Sequence, residues 1–373
     1  MQKLGHRVKV IAPHHYGSEK KEMYDGIPVY RFTYFWPSGL QKLAYGDGIP
    51  TNIRRSFLAK MQLPVFILFF FLKSLRHSSN VDVIHSHWTI AGLVGVFVSK
   101  LTRKKHVLSM HGAEIFVLGK NRVLGFVLKR VDLLINNSRF TQANVLENYP
   151  HTNCVVISPG TDTARFYPQF KQGLRTELGL GDLDIFILCV GKFIPRKGIE
   201  YLIDAMDILV HKRGLENLKL RIGGRGYLKP VYEKKISNLH LERSIEFTGY
   251  IPDGEIPYYY SESDIFVLPS IVDENGDTEG LGVVLVEANA CGTAVISSRV
   301  GGIPDVIEDG YNGLLIEQKQ PLQLAEAIQT LCENDSLRKE IGQRGMEKVK
   351  KEFSWHEIAK KIERHYYELF GSE

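Results

Sequence analysis

Short runs rich in Val, Ile, Leu and Phe recur along the chain, separated by longer helical patterns, and this alternation constrains the fold more than any other feature. Such chains build parallel sheets with helices on both faces, because a crossover between parallel strands takes a dozen or more residues. The runs fall into two sets. VKVIA, PVYRF, DVIHSH, HVLSMH, LLINNS and CVVISP form the first and end near Pro159; IFILCVG, LKLRIGG, SIEFTGY, IFVLPS, AVISS and GLLI form the second, from Ile185 to about Ile316. Between them, SPGTDTARFYPQFKQG is rich in turn formers and reads as an interdomain connection. The expected fold class is α/β, with two doubly wound Rossmann-like domains, over residues 1–165 and 166–354. Trp355 to Phe370 reads as a helix with Ile358, Ile362, Tyr366 and Leu369 spaced for one buried face, and the expectation for residues 355–373 is a C-terminal helix that returns toward the first domain, a placement the periodicity itself does not give.

Composition narrows the function classes. Lys plus Arg exceeds Asp plus Glu by only five, too mild a surplus to argue for nucleic acid. Cys154, Cys189, Cys291 and Cys332 lie far apart without a CxxC pair, so reduced thiols and a cytoplasmic location are expected rather than a zinc site or a disulfide framework. The first apolar stretch, VKVIAP, is too short for a secretory core. The longest apolar run, Leu63 to Leu72, falls short of the about 20 residues a bilayer-crossing helix needs, which predicts a chain that is not an integral membrane protein. Around that run, residues 41–77 carry Lys42, Arg54, Arg55, Lys60, Lys73 and Arg76 against one acid, Asp47. The pattern favours a core-facing helix with solvated charges; the other reading is a basic, aromatic surface in peripheral contact with an anionic membrane.

The chemistry-bearing stretch is Asp273 to Gly302. Glu279 ends a polar loop, Gly280 and Gly282 follow, and the helical segment VVLVEANA contains Glu287. A glycine-opened helix start presents free N–H groups and the positive end of a dipole, which together can hold a diphosphate without a metal. Carboxylates on either side of that start can accept hydrogen bonds from sugar and ribose hydroxyls. As isolated signals, Glu279 and Glu287 read equally well as helix-terminal and solvated charges. Lys192, Arg196 and Lys197, in VGKFIPRKG, follow the strand IFILCVG, where a doubly wound domain places its ligand loops. IGGRGY puts Gly223, Gly224 and Gly226 after another strand without the GxGxxG spacing of a dinucleotide fingerprint, which argues against a nicotinamide-dependent oxidoreductase. No DxD motif stands at a strand end in a usable context, so metal-independent chemistry is expected.

Taken together, these residues resemble the GT-B-fold retaining glycosyltransferases, the family of sucrose and glycogen synthases and many bacterial polysaccharide enzymes. The resemblance covers nearly the whole chain. It is carried by Glu279 and Glu287 with GLG before the second glutamate and GGIPDVIEDGYNGLLI after it. It implies that Glu279 lies against the donor sugar and that Glu287 binds the ribose. Lys192 and Lys197 stand where the family has an arginine and a lysine on the donor phosphates, and a lysine at 192 loses the forked grip of guanidinium. The implied donor pocket extends to Gly224, Gly226, Ile251, Gly280, Leu281, Gly282 and Val283. In SMHGAEIF, His111 takes the family's place against the donor sugar across the cleft. In DVIHSHW, His85, His87 and Trp88 are weaker candidates for the acceptor side.

The implied activity is transfer of a sugar from a nucleotide-diphosphate donor, used as co-substrate with no other cofactor. The acceptor is a polysaccharide, an oligosaccharide or a lipid-linked molecule, and the implied mechanism is metal-independent with retention. The opening MQKLGH reads as the last turn of a helix stopped at Gly5, followed by the family's second strand. The first strand and its glycine-rich turn are therefore expected to be missing, leaving the N-terminal domain incomplete. That feature keeps open an alternative of another class, a noncatalytic nucleotide-sugar-binding partner or an inactive truncated paralogue.

Overall fold

In the computed structural model, which describes residues 1–46, 48–112 and 121–371, both halves are built on parallel strands. In the first half, β1 (Val10–Pro13), β2 (Lys21–Tyr24) and β3 (Ile27–Phe32) form a three-stranded sheet in the order β1-β3-β2. A second, fully parallel sheet holds β4 (Val83–His87), β5 (Lys105–Met110), β6 (Leu133–Asn136) and β7 (Cys154–Val156) in sequential order. The first half is therefore not one continuous doubly wound sheet. Among the described residues β1 and β4 share no ladder, because no strand lies between them to join the two sheets. Strand β2, antiparallel to β3, had no signal in the sequence: KEMY lacks an apolar run. It forms because Asp25 and Gly26 both take positive φ, 47° and 78°, the tight turn whose twist matches a hairpin.

The second half carries one parallel sheet: β8 (Ile185–Val190), β9 (Leu218–Gly223), β10 (Ile245–Gly249), β11 (Ile265–Leu268), β12 (Ala294–Ser298) and β13 (Leu314–Ile316), in the order β10-β9-β8-β11-β12-β13. Its central strands β8 and β11 are apolar throughout because they are packed on both faces, whereas the edge strand β10 exposes Glu246. On β8, Phe186 and Leu188 join one core cluster with Tyr260, Phe266 and Leu285, while Ile187 and Cys189 join the other with Leu202, Leu220 and Ile296. The chain runs outward from β8 to β10 and then returns to start outward the other way from β11. The strand order therefore reverses between β8 and β11, and the C-terminal ends of these two neighbours mark the place where such a sheet takes its ligand.

The chain passes between the halves twice at adjacent places. The Thr161 N–H donates to the Phe353 carbonyl at 2.8 Å, and the Trp355 N–H donates to the Thr161 carbonyl at 3.2 Å. Ser354 then caps the helix Trp355–Glu368. That helix buries Ile358 among Val107, Leu133, Ile135 and Ile157 of the first half, with Ile362, Tyr366 and Leu369 packed alongside.

The apolar run at 63–72 lies within a 21-residue helix, Phe57–His77, long and apolar enough by those two measures to cross a membrane. Flanking residues of weaker hydropathy extend the ten-residue run into this longer helix, so the length of the run is not by itself a ground against a span. The core-facing expectation is also only half met. Ala59, Gln62 and Phe66 are buried, whereas Phe57, Met61, Leu68, Phe69 and Leu72 are exposed.

Candidate active site

The loops leaving β8 and β11 lock together through their backbones. The Ile271 N–H donates to the Arg196 carbonyl at 2.8 Å, and Gly198 (φ 63°) lies so close that a Cβ there would stand 1.9 Å from the Pro269 oxygen. This contact carries Lys197, at the end of the turn Pro195–Lys197, to within 2.5 Å of a Glu279 carboxylate oxygen, although 82 positions separate the two in sequence. Both side chains are only 11% exposed. Arg196 adds a second cation: its Nη1 donates to the Thr278 carbonyl at 3.0 Å and stands 3.6 Å from Glu279 Oε1, and its Nε is 3.3 Å from Asp277. Burial pushes the Glu279 carboxyl up, but Lys197 and Arg196 outweigh it and hold the pKa below the usual carboxylate range. Lys192 is exposed and has no ion pair among the described residues.

Immediately after this cluster the chain enters the helix Val283–Ala290. Gly282 (φ 86°) opens it without a side-chain cap, leaving its first N–H groups free of side-chain acceptors. Leu281 is buried in the core and Val283 is exposed. Glu287, in the second turn, accepts a hydrogen bond from the buried Tyr260 hydroxyl at 3.1 Å. Burial raises its pKa to about 7, against the smaller lowering influence of Tyr260 and Arg165. Gly224 and Gly226 press on the β8 loop: a Cβ at 224 would meet the Gly191 carbonyl at 1.9 Å, and one at 226 the Phe193 backbone at 2.5 Å. Their part is to let that loop sit close. The Ile251 side chain lies in the core beside Gly223.

From the first half, the ends of β4 and β5 meet this region. Gly280 sits against His111 and Gly112: a Cβ at 280 would be 3.3 Å from the His111 carbonyl, which accepts from the Asn137 side-chain amide at 3.1 Å. His87 Nδ1 is 3.2 Å from His111 Nε2, the rings of His85 and His87 stack at 4.7 Å, and the Trp88 ring lies 5.0 Å from His111. His85 is held by the Tyr366 hydroxyl at 2.5 Å and by Ser109 at 2.7 Å. Burial lowers the pKa of His85 to about 3 and that of His111 to about 4, with neighbouring histidines adding to the effect; burial also lowers that of His87. With these values His85 and His111 are neutral at pH 7. The rest of the motif SMHGAEIF, beyond Gly112, lies outside the described residues.

Thus Glu279, Lys197, Gly280 and His111 come together, and His85, His87 and Trp88 gather next to His111. Three participants carried no usable signal. Tyr260 is one of three consecutive tyrosines, Asn137 lies in an ordinary polar turn, and Tyr366 reaches His85 across 281 positions. Asn137 Oδ1 and Thr278 Oγ1 are buried beside the cleft without a partner among the described residues, as polar groups lining a ligand site often are.

A cation–carboxylate cluster and an uncapped helix start at a sheet switch point, facing histidines from a second parallel-sheet half, make up the candidate site of a two-domain α/β protein. Residues 1–165 match the family model Glycosyltransferase Family 4, and residues 171–348 match Glycosyl transferases group 1. An uncharacterized glycosyltransferase of Methanocaldococcus jannaschii is 32% identical over 306 residues, which are 80% of this chain and 78% of that protein. A D-inositol 3-phosphate glycosyltransferase of Corynebacterium jeikeium is 29% identical over 315 residues, 78% of this chain and 73% of that one. Among solved structures, the sucrose-phosphate synthase of Thermosynechococcus elongatus superposes with a TM-score of 0.78 at 23% identity, covering 99% of this chain and 90% of that one. The chain belongs to the group 1 glycosyltransferases, enzymes with the GT-B arrangement of two α/β domains.

Proposed function

We propose that the enzyme transfers a sugar from a nucleoside diphosphate donor, with retention at the anomeric carbon, to a hydroxyl of a polysaccharide, oligosaccharide or lipid-linked acceptor on the cytoplasmic side. The observation that carries this reading is the Lys197–Glu279 pair beside the open start of the Val283–Ala290 helix. In the ligand-free protein the two side chains neutralise each other. A donor diphosphate at the helix start attracts Lys197, with Lys192 as a second cation, and frees Glu279 to accept hydrogen bonds from the sugar hydroxyls. Glu287, in the second turn of the same helix, holds the ribose. His111, neutral and lying across Gly280, offers a hydrogen bond to the sugar from the other half. Asn137 fixes the His111 backbone.

The bond between the anomeric carbon and the leaving phosphate oxygen breaks as the acceptor oxygen bonds to that carbon on the same face. The acceptor's proton passes to the departing phosphate. Protein groups stabilise the charge that develops on the diphosphate and align the partners. Because lysines and helix N–H groups supply the positive charge, the reaction is expected to proceed in excess EDTA. Lys197→Ala and Glu279→Ala should each lower turnover of the preferred UDP- or GDP-sugar by about 100-fold or more. Unchanged turnover in either variant refutes the site assignment, and an inverted anomeric signal in the product NMR spectrum refutes retention.

A further inference from the structure

We propose that the outward face of the Phe57–His77 helix rests on an anionic phospholipid bilayer. The helix is pinned from within. Gln62 is fully buried, its Oε1 accepting from the Lys42 and Leu43 N–H groups at 3.0 and 3.2 Å and its Nε2 donating to the Leu40 carbonyl at 2.7 Å. Phe66 packs edge-on against Phe32 and Tyr34. With that side fixed, Phe57, Met61, Pro64, Leu68 and Leu72, spaced by three or four residues, form one stripe on the opposite side. Phe57 is 77% exposed, Met61 59% and Leu68 52%.

Charge selects the occupant. Between Asp47 and Asp82 the sequence holds Arg54, Arg55, Lys60, Lys73 and Arg76 and no Asp or Glu. Lys60 follows the stripe on one flank, Arg54 lies just before the helix and Arg76 ends it; none of these three has a carboxylate partner among the described residues. An apolar stripe edged by unpaired cations suits the boundary between acyl chains and anionic headgroups. It does not suit a second copy of this chain, which would bring two acid-free basic faces together. It also does not suit a membrane span, which would strip Gln62 and Phe66 from their partners. The inference deepens the acceptor reading, since a docked enzyme meets a lipid-linked acceptor, but lipid binding and sugar transfer can be measured apart.

The test is co-sedimentation of the full chain with large vesicles of phosphatidylcholine alone and with 30% phosphatidylglycerol. Binding to the anionic vesicles should be at least tenfold stronger and should weaken in 0.5 M NaCl. Met61→Glu/Leu68→Glu should cut binding at least tenfold while leaving the circular dichroism and UDP or GDP calorimetry unchanged. Lys60→Glu/Arg76→Glu should erase the preference for anionic vesicles. Equal binding to both vesicle types, wild-type binding by the double-glutamate variant, resistance to carbonate extraction, or a dimer that this variant dissociates would each overturn the proposal. Lost transfer activity with intact vesicle binding counts against the function proposed above and leaves this inference standing.

Discussion

Glu287 sits within a helix with one side-chain donor among the described residues, the Tyr260 hydroxyl at 3.1 Å, and burial lifts its pKa from 4.5 to about 7. The folded protein therefore binds this proton more tightly than the unfolded chain does. The resulting stabilisation is complete below pH 4.5 and is lost as the pH rises through 7. For a shift of this size the loss between pH 5 and pH 8 is about 2.5 kcal/mol. Glu287→Gln keeps an acceptor for Tyr260 and removes the ionisation. Its stability should match the wild type near pH 5 and exceed it by about 2 kcal/mol at pH 8. Urea unfolding of both proteins at pH 5, 6.5 and 8 measures the difference, and parallel pH dependences would refute the reasoning. Calorimetry gives a second readout. If the ionised carboxylate grips the ribose, wild-type affinity for UDP or GDP should fall by up to about tenfold from pH 8 to pH 6, in proportion to the ionised fraction, and the variant should lack that component.

Two further outcomes follow from the contacts around the cleft. The half-buried imidazoles of His85 and His111, with pKa values lowered to about 3 and 4, should show no ring titration between pH 5.5 and 8 in two-dimensional NMR; a midpoint near 6.5 for either would refute the lowering. Asp305 joins the halves by accepting from the Arg139 backbone N–H and, at 2.8 Å, from its Nε. Asp305→Ala should cost about 0.5–1 kcal/mol and raise the radius of gyration in small-angle scattering, since Arg139, first residue of the helix Arg139–Asn148, loses its contact with the second half.

The alternation of apolar runs determined the fold class because a strand buried on both faces must be apolar throughout, as β8 and β11 are. Gly282, placed just before VVLVEANA, likewise marked an open helix start, since only a residue tolerant of positive φ fits there. Site chemistry was legible as residue types, glutamates flanking that start and cations after β8, while their pairing was not. Lys197 meets Glu279 because the strand order puts β8 beside β11, and Tyr366 meets His85 because the last helix returns to the first half. The same holds for the split first-half sheet and for the outward apolar stripe at 57–72. Local periodicity shows that a segment has distinct faces. What each face meets, and hence which carboxylate holds its proton and which cation stays unpaired, depends on strands and helices far away in sequence, and only the tertiary structure decides it.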